Sequence, residues 1–268
     1  MTAIAVTIAG SDSGGGAGIQ ADLKTFGALG VYGASVIVAL TAQNTQGVTG
    51  IHDVPADFIK AQMDAVFSDL DVDAVKIGML SQAASIAAVA KGLTDHRAKN
   101  IVLDPVMVAT SGDRLLAADA VDALRKLLIP RALAITPNLP EAAALVGASP
   151  ARNEKEMEIQ ARELLALGVR NVLIKGGHGT SDESVDLLIG QGDVVRLSAK
   201  RIETKNLHGT GCTLSSGIAA GLAKGLDLKE ACRQAKAYVT GAIAAAATLK
   251  IGHGHGPLHH FYQSGRDA

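Results

Sequence analysis

Ile4-Ala5-Val6-Thr7-Ile8-Ala9-Gly10-Ser11-Asp12-Ser13-Gly14-Gly15-Gly16-Ala17-Gly18 runs from a short β-branched segment through a glycine-rich turn into the helical stretch 19–29. A strand apolar at nearly every position is covered on both faces, as the strands of parallel sheets are. The same signal recurs, predicting strands over 4–9, 35–41, 74–77, 101–104, 132–136 and 171–175. Helical patterns lie between them. In 119–128, Val121, Leu124, Leu127 and Leu128 form one apolar face, and Pro130 stops the helix. In 154–167, Met157, Ala161, Leu164 and Leu165 do the same, with Gly168 as the expected C-cap. Residues 186–189 and 194–198 read as a hairpin around Gly190-Gln191-Gly192-Asp193. Strand–helix alternation with right-handed crossovers predicts an α/β fold, one domain over 1–268, with a mostly parallel central sheet and helices on both faces.

Composition narrows the function classes. The 268 residues carry 25 Lys+Arg against 26 Asp+Glu, a formal net charge of −1. Such a chain has no strong field for steering onto nucleic acid or an anionic membrane. Aromatics are 3 % and Trp is absent, which argues against base-stacking platforms. No apolar run approaches the roughly 20 residues that span a bilayer. Met1-Thr2-Ala3-Ile4 lacks the basic region of a signal peptide, so a cytoplasmic protein is expected. Cys212 and Cys232 form neither a zinc spacing nor a disulfide framework.

Apolar runs end, at their C-terminal edges, in residues unsuited to a core: Gly10-Ser11-Asp12, Gln43-Asn44, Asp104-Pro105, Pro137-Asn138 and Lys175-Gly176-Gly177-His178-Gly179. Open parallel sheets bind ligands outside those strand ends, so one cleft is expected there. The first glycine loop is no Walker A loop, because the chain lacks any Gly-Lys dipeptide. Gly16-Ala17-Gly18-Ile19-Gln20-Ala21 matches a loose dinucleotide pattern, but no acidic residue near position 40 is there to hold a ribose. Asn206-Leu207-His208-Gly209-Thr210-Gly211-Cys212-Thr213 precedes a small-residue helix over about 211–224. Its glycines would offer N–H groups to an anion at the helix's positive end, where the Cys212 thiol is expected to ionise near neutrality. Cys232 reads as a small core hydrophobe. Lys175 is a strand-end charge suited to phosphate. Thr136-Pro137-Asn138-Leu139-Pro140-Glu141 offers oxygen ligands suited to Mg²⁺, or simply a capped helix start. The ending His253-Gly254-His255-Gly256-Pro257-Leu258-His259-His260 reads as a packed terminal segment.

Together these fragments, with Thr41-Ala42-Gln43-Asn44-Thr45, Lys76-Ile77-Gly78-Met79-Leu80 and Asp104-Pro105-Val106-Met107, resemble the ribokinase-like superfamily of small-molecule kinases. Within it they are most similar to the hydroxymethylpyrimidine and phosphomethylpyrimidine kinases of thiamine biosynthesis, over roughly residues 4–263. The resemblance implies a ribokinase-like fold and two ATP-dependent phosphorylations of 4-amino-5-hydroxymethyl-2-methylpyrimidine. It implies a pyrimidine pocket lined by Gly10, Ala17, Asp22, Gln43, Met79 and Val106, with Gln43 reading the ring edge. Asp104, Asn138 and Glu141 then belong to the Mg²⁺–phosphate region, and Lys175 and Lys236 to ATP. Gly209, Thr210, Gly211 and Cys212 would cradle the transferring phosphoryl group, with Cys212 as the base for the alcohol step. The pattern also implies a homodimer. A pyridoxal or pyridoxine kinase on the same scaffold is the alternative; an NAD-dependent oxidoreductase and a non-catalytic pyrimidine binder have weaker support.

Overall fold

The computed structural model describes residues 2–107, 118–177 and 182–264. Ten strands are described: β1 (Ile4–Ala9), β2 (Tyr32–Ile37), β3 (Ala39–Asn44), β4 (Gly47–Asp53), β5 (Ala74–Ile77), β6 (Ile101–Leu103), β7 (Ala134–Ile135), β8 (Val172–Lys175), β9 (Glu183–Ile189) and β10 (Val194–Lys200). The helices are α1 (Gly18–Ala28), α2 (Ala56–Asp69), α3 (Ala83–Asp95), α4 (Ala118–Ala123), α5 (Leu139–Val146), α6 (Glu154–Leu165), α7 (Thr210–Ala223) and α8 (Leu228–Ala246). The main sheet has the order β10-β9-β8-β7-β6-β5-β1-β2. In that sheet β2, β1, β5, β6, β7 and β8 pair in parallel, and β9 and β10 close one edge antiparallel.

The strands are short and apolar because both of their faces are covered. Val6, Ile8, Val75 and Ile77 point to one side, where Ile59, Met63, Ile86, Val89, Leu145 and Leu164 of α2, α3, α5 and α6 pack. Ala5 and Ala74 point to the other, under Phe26, Leu214, Ile218, Cys232 and Val239 of α1, α7 and α8. Each of these side chains, fully buried, contributes roughly 1.5–3 kcal/mol when it is Val, Leu, Ile, Phe or Met. This bears out the expected α/β architecture with helices on both faces. Cys232 lies in that core, 0 % exposed, as read from the sequence.

Local signals set the helix ends. Asn138 and Glu141 form a capping box on α5, and Gly147 closes it in the left-handed conformation, φ +73°. Asn153 and Asp227 accept N–H bonds at the starts of α6 and α8.

The structure corrects several expectations. The run 35–41 is not one strand: it breaks at Val38, whose N–H goes to Ala9 O, and β3 leaves the main sheet to pair with β4 as a separate ribbon. Small and apolar residues on the exposed face of β3, Leu40 and Ala42, hid the change from two covered faces to one. The helix expected over 119–128 passes after Ala123 into a single wide turn over Leu124–Leu128, before Pro130 stops it in a 3-10 turn. α6 ends at Ala166, and Gly168, φ +100°, turns the chain two residues later.

Candidate functional site

The C-terminal ends of the parallel strands carry a single line of polar side chains. β6 delivers Asp104, and β8 delivers Lys175 beside it, Nζ to Oδ1 2.8 Å. Thr136 Oγ1 donates to the same carboxylate at 3.0 Å, and Ser215 Oγ of α7 lies 3.4 Å from its other oxygen. Glu141 Oε2 is 4.0 Å from Lys175 Nζ. Asn138 and Glu141 each spend one oxygen on the capping box, which is the plain helix-start reading of that fragment. One lysine therefore faces two buried carboxylates. Burial raises Glu141 to about 7, Lys175 lowers it, and Asp104 raises it again. That residual negative charge and its hard oxygen donors fit a divalent cation such as Mg²⁺, which takes one or two carboxylates and completes its shell from phosphate and water. His178 and Gly179, quoted after Lys175, lie outside the described residues.

Against this charged line α7 begins. Gly209 stands at its N-cap with φ +84°, and any Cβ there would collide with the carbonyl oxygen of Gly16. Thr210 Oγ1 turns back to Leu207 O at 2.7 Å. A helix start leaves its first N–H groups without intrahelical acceptors, so Gly211 and Cys212 offer theirs to the cleft. A Cβ on Gly211 would sit 3.2 Å from Lys175 Nζ and 3.4 Å from Asp104 Oδ2, which puts the helix start directly beside the ion pair.

The second half of the cleft is built on Asp12. Its carboxylate accepts the N–H groups of Gly14, Gly16 and Ala17 at 2.8, 3.0 and 2.8 Å and a bond from His208 Nε2 at 2.8 Å. Burial works against its charge, but His208 and these amides outweigh it and hold Asp12 below the usual carboxylate range. Gly10 and Met79 pack against each other: a Cβ on Gly10 would be 2.5 Å from the Met79 methyl. Gln43 reaches the cleft from the β3–β4 ribbon rather than from the main sheet. Its Oε1 accepts from Thr41 Oγ1 at 3.1 Å, and its Nε2 lies 3.4 Å from His208 Nε2. Val106, half-buried, follows Asp104 and bonds to its carbonyl at 2.8 Å. The C-terminal segment packs as expected: His208 N donates to Gly256 O at 3.0 Å and His255 N to Thr45 O at 2.8 Å.

Three sequence expectations change. Asp22 does not line the cleft; it is 0 % exposed, bonded to Thr7, Lys76 and Ser216. Lys236 is paired with Asp186 at 2.8 Å and with Ser184 at 3.2 Å, under β9 rather than in the Asp104 cluster. Cys212 is not poised as a thiolate. Enclosure pushes its thiol up to about 11, Lys76 pulls it down, Asp22 and Asp104 push it up, and the Gly18 N–H pulls it down. Loss of water around the sulfur outweighs the helix end. The sequence reading missed the Asp12–His208 pair and the parts of Thr136, Ser215, Thr7 and Lys76. A lysine inside an otherwise apolar strand was the available signal for the last of these.

Fold and site together define the class, a ribokinase-like small-molecule kinase. Within that class the chain belongs to the phosphomethylpyrimidine kinase family, whose model matches residues 12–259. It is 61 % identical over 267 residues to the hydroxymethylpyrimidine/phosphomethylpyrimidine kinase of Rhizobium meliloti (strain 1021), covering 100 % of both chains. Among solved structures it is similar to an ADP complex of Bacillus subtilis pyridoxal kinase, with TM-score 0.91, 37 % identity, and 99 % and 100 % of the two chains covered. It is also similar to the phosphomethylpyrimidine kinase of Clostridium difficile 630, with TM-score 0.80, 45 % identity, and 90 % and 99 % covered. Among the described residues no helix is long and apolar enough to cross a membrane.

The raised Glu141 has a stability consequence. Between about pH 4.5 and 7 the folded protein holds a proton that the unfolded chain releases, so Glu141 costs stability progressively as pH rises through that window. Denaturant titrations of Glu141→Gln and wild type without divalent cations are expected to show the variant gaining on wild type by roughly 1–3 kcal/mol from pH 5 to pH 8. A pH-independent difference counts against a buried, proton-holding Glu141.

Proposed function

We propose that the chain transfers the γ-phosphoryl group of ATP to the hydroxymethyl oxygen of 4-amino-5-hydroxymethyl-2-methylpyrimidine, and then a second phosphoryl group to the monophosphate, giving the pyrophosphate. The observation that carries the reading is the open start of α7 at Gly211 and Cys212, set beside the Asp104–Lys175 pair. The family match and the 61 % identical relative support it. In this reading Gln43, Gly10, Ala17, Met79 and Val106 hold the ring, an amide being able both to donate to and accept from an aminopyrimidine edge. Lys175 meets the ATP phosphates, and the relative with bound ADP supports a nucleotide there. Asp104 and Glu141, with Asn138 next to them, would hold Mg²⁺, which supplies charge neutralisation for the phosphates when bound. Lys236 acts at most behind Asp186. The same reading takes the chain as one catalytic domain, working as a cytoplasmic homodimer.

The chemistry follows from charge. As the bond from the γ-phosphorus to the ADP oxygen breaks, negative charge spreads over the transferring oxygens, and the Gly211 and Cys212 N–H groups with Lys175 oppose it. In the first step the acceptor is a neutral alcohol. Its oxygen bonds to phosphorus and its proton goes to Cys212 Sγ, which must first be a thiolate. In the second step a phosphate oxygen, already anionic, attacks, and no such base is required.

A pyridoxal kinase activity is the second reading, favoured by the TM-score of 0.91 to the pyridoxal kinase. Turnover on the two alcohols separates the readings; a higher kcat/KM with pyridoxal than with the aminopyrimidine reverses their order.

Three outcomes test the mechanism. With a thiol near 11, the alcohol step is expected to quicken by about tenfold per pH unit from 7 to 9, while the monophosphate step stays nearly flat. Cys212→Ala is expected to slow the alcohol step by about 10²-fold or more and the monophosphate step far less; equal losses would assign Cys212 to positioning alone. Gly209→Ala, forced against Gly16 O at a positive φ, is expected to lower kcat for both steps by at least about tenfold, because it displaces the whole helix start.

A further inference from the structure

Among the described residues Lys76 is a fully buried charge that the proposed mechanism leaves without work. It lies in β5 with its side chain 0 % exposed, and a Cβ on Gly78 would stand 2.6 Å from its Nζ. A buried ammonium is tolerated only when paired. Its partner is Asp22 of α1, Nζ to Oδ2 2.8 Å. Thr7 of β1, opposite Lys76 in the sheet register, donates to the same oxygen at 2.6 Å. Ser216 of α7 donates to Asp22 Oδ1 at 2.6 Å. Both carboxylate oxygens are therefore engaged, and Asp22, 0 % exposed, is closed to a substrate proton.

Ser216 lies four residues after Cys212, so the two project from the same face of α7, one turn apart. The buried pair is thus anchored to the face of α7 that carries the thiol, one turn along from it. The Gly18 N–H, at the start of α1, also reaches Cys212. The charged groups that act on the sulfur are Lys76 from β5, Asp22 from α1, Asp104 after β6 and Lys175 from β8.

We propose that Lys76 is a positioning residue for the alcohol step, its ammonium fixed by Asp22 beneath the face of α7 that carries Cys212 so as to favour the Cys212 thiolate, with the Asp22 carboxylate working in opposition. The proposal rests on Cys212 as the proton acceptor. Among the charges around the thiol, Lys76 has the largest effect and draws its proton off, while Asp22 comes next and holds it on. Lys76 stays charged: burial opposes its ammonium, but Asp22, with Asp104, outweighs that. The pair gives the site a fixed cation that substrate cannot displace and solvent cannot screen.

Opposite signs make the test. The rate of iodoacetamide labelling of Cys212 at pH 8, followed peptide by peptide by mass spectrometry, reports its thiolate fraction. Lys76→Met is expected to slow that labelling by about tenfold or more, since one nearby charge moves an ionisation by a unit or more. Asp22→Asn, with Asp104 still acting on the Lys76 ammonium, is expected to speed it by a smaller factor. The alcohol step at pH 8 follows each change in direction, with the KM for the pyrimidine nearly unchanged and the monophosphate step barely altered. Movement of both variants in the same direction, or no movement, overturns the proposal, because loosened packing exposes the thiol in either case. Should Lys76→Met fail to fold, the Lys76→Met/Asp22→Asn double variant keeps the buried pair neutral. Its labelling still slows, the lysine having the larger effect, and an unchanged or faster rate overturns the proposal. If labelling moves as expected but the wild-type protein forms no phosphorylated pyrimidine, the assigned reaction fails while the control of the thiol by Lys76 stands.

Discussion

The cleft depends on one tertiary contact, the seating of the loop before α7 on the glycine-rich loop after β1. Gly209 can take its left-handed conformation only without a Cβ, and it lies against the Gly16 carbonyl. Asp12 locks the two loops together: it gathers three N–H groups of its own loop and one bond from His208, 196 residues away in sequence. A carboxylate with four donors is a rigid hub, since any displacement leaves a buried charge under-bonded. The helix start therefore stands at a set distance from the ring side of the cleft. Precise placement of an acceptor against a transferring group is where much of the barrier to phosphoryl transfer is removed.

Charge is distributed in two tiers around that contact. The upper tier sets one lysine, Lys175, against two buried carboxylates, Asp104 and Glu141, and burial lifts Glu141. A metal–nucleotide complex is the natural complement, because it brings the missing cation together with the phosphates that Lys175 and the helix start attract. The lower tier, Lys76 with Asp22, is balanced and sealed beneath Cys212. Phosphoryl transfer to an alcohol has to manage both charge on phosphorus and a departing proton, and the two tiers stand on the two sides of that problem.

The likeness to both pyrimidine and pyridoxal kinases fits this division. The anion-binding half is made from backbone N–H groups, a lysine and carboxylates, which read phosphate and are blind to the acceptor ring. On the proposed reading, ring choice falls to a few groups on the other side, notably Gln43 on a ribbon that stands apart from the main sheet.

From the sequence alone the parallel sheet, its covered faces, the capped helix start at Asn138, and the glycine turns at both loops were legible. Each is written in contiguous residues: apolar period, cap chemistry and glycine placement act over a few positions. The polar residues at strand ends located the cleft for the same reason. The acidity of Cys212, the burial of Asp22 and the diversion of Lys236 to Asp186 were decided only by tertiary structure. Ionisation depends on how much water surrounds a group and which charges lie a few ångströms away. Those neighbours come from β5, β6, β8, β9 and α1, brought together by folding and carried by no local pattern. The split at Val38 has a similar origin, because whether a strand's second face is covered depends on what packs there, not on the strand.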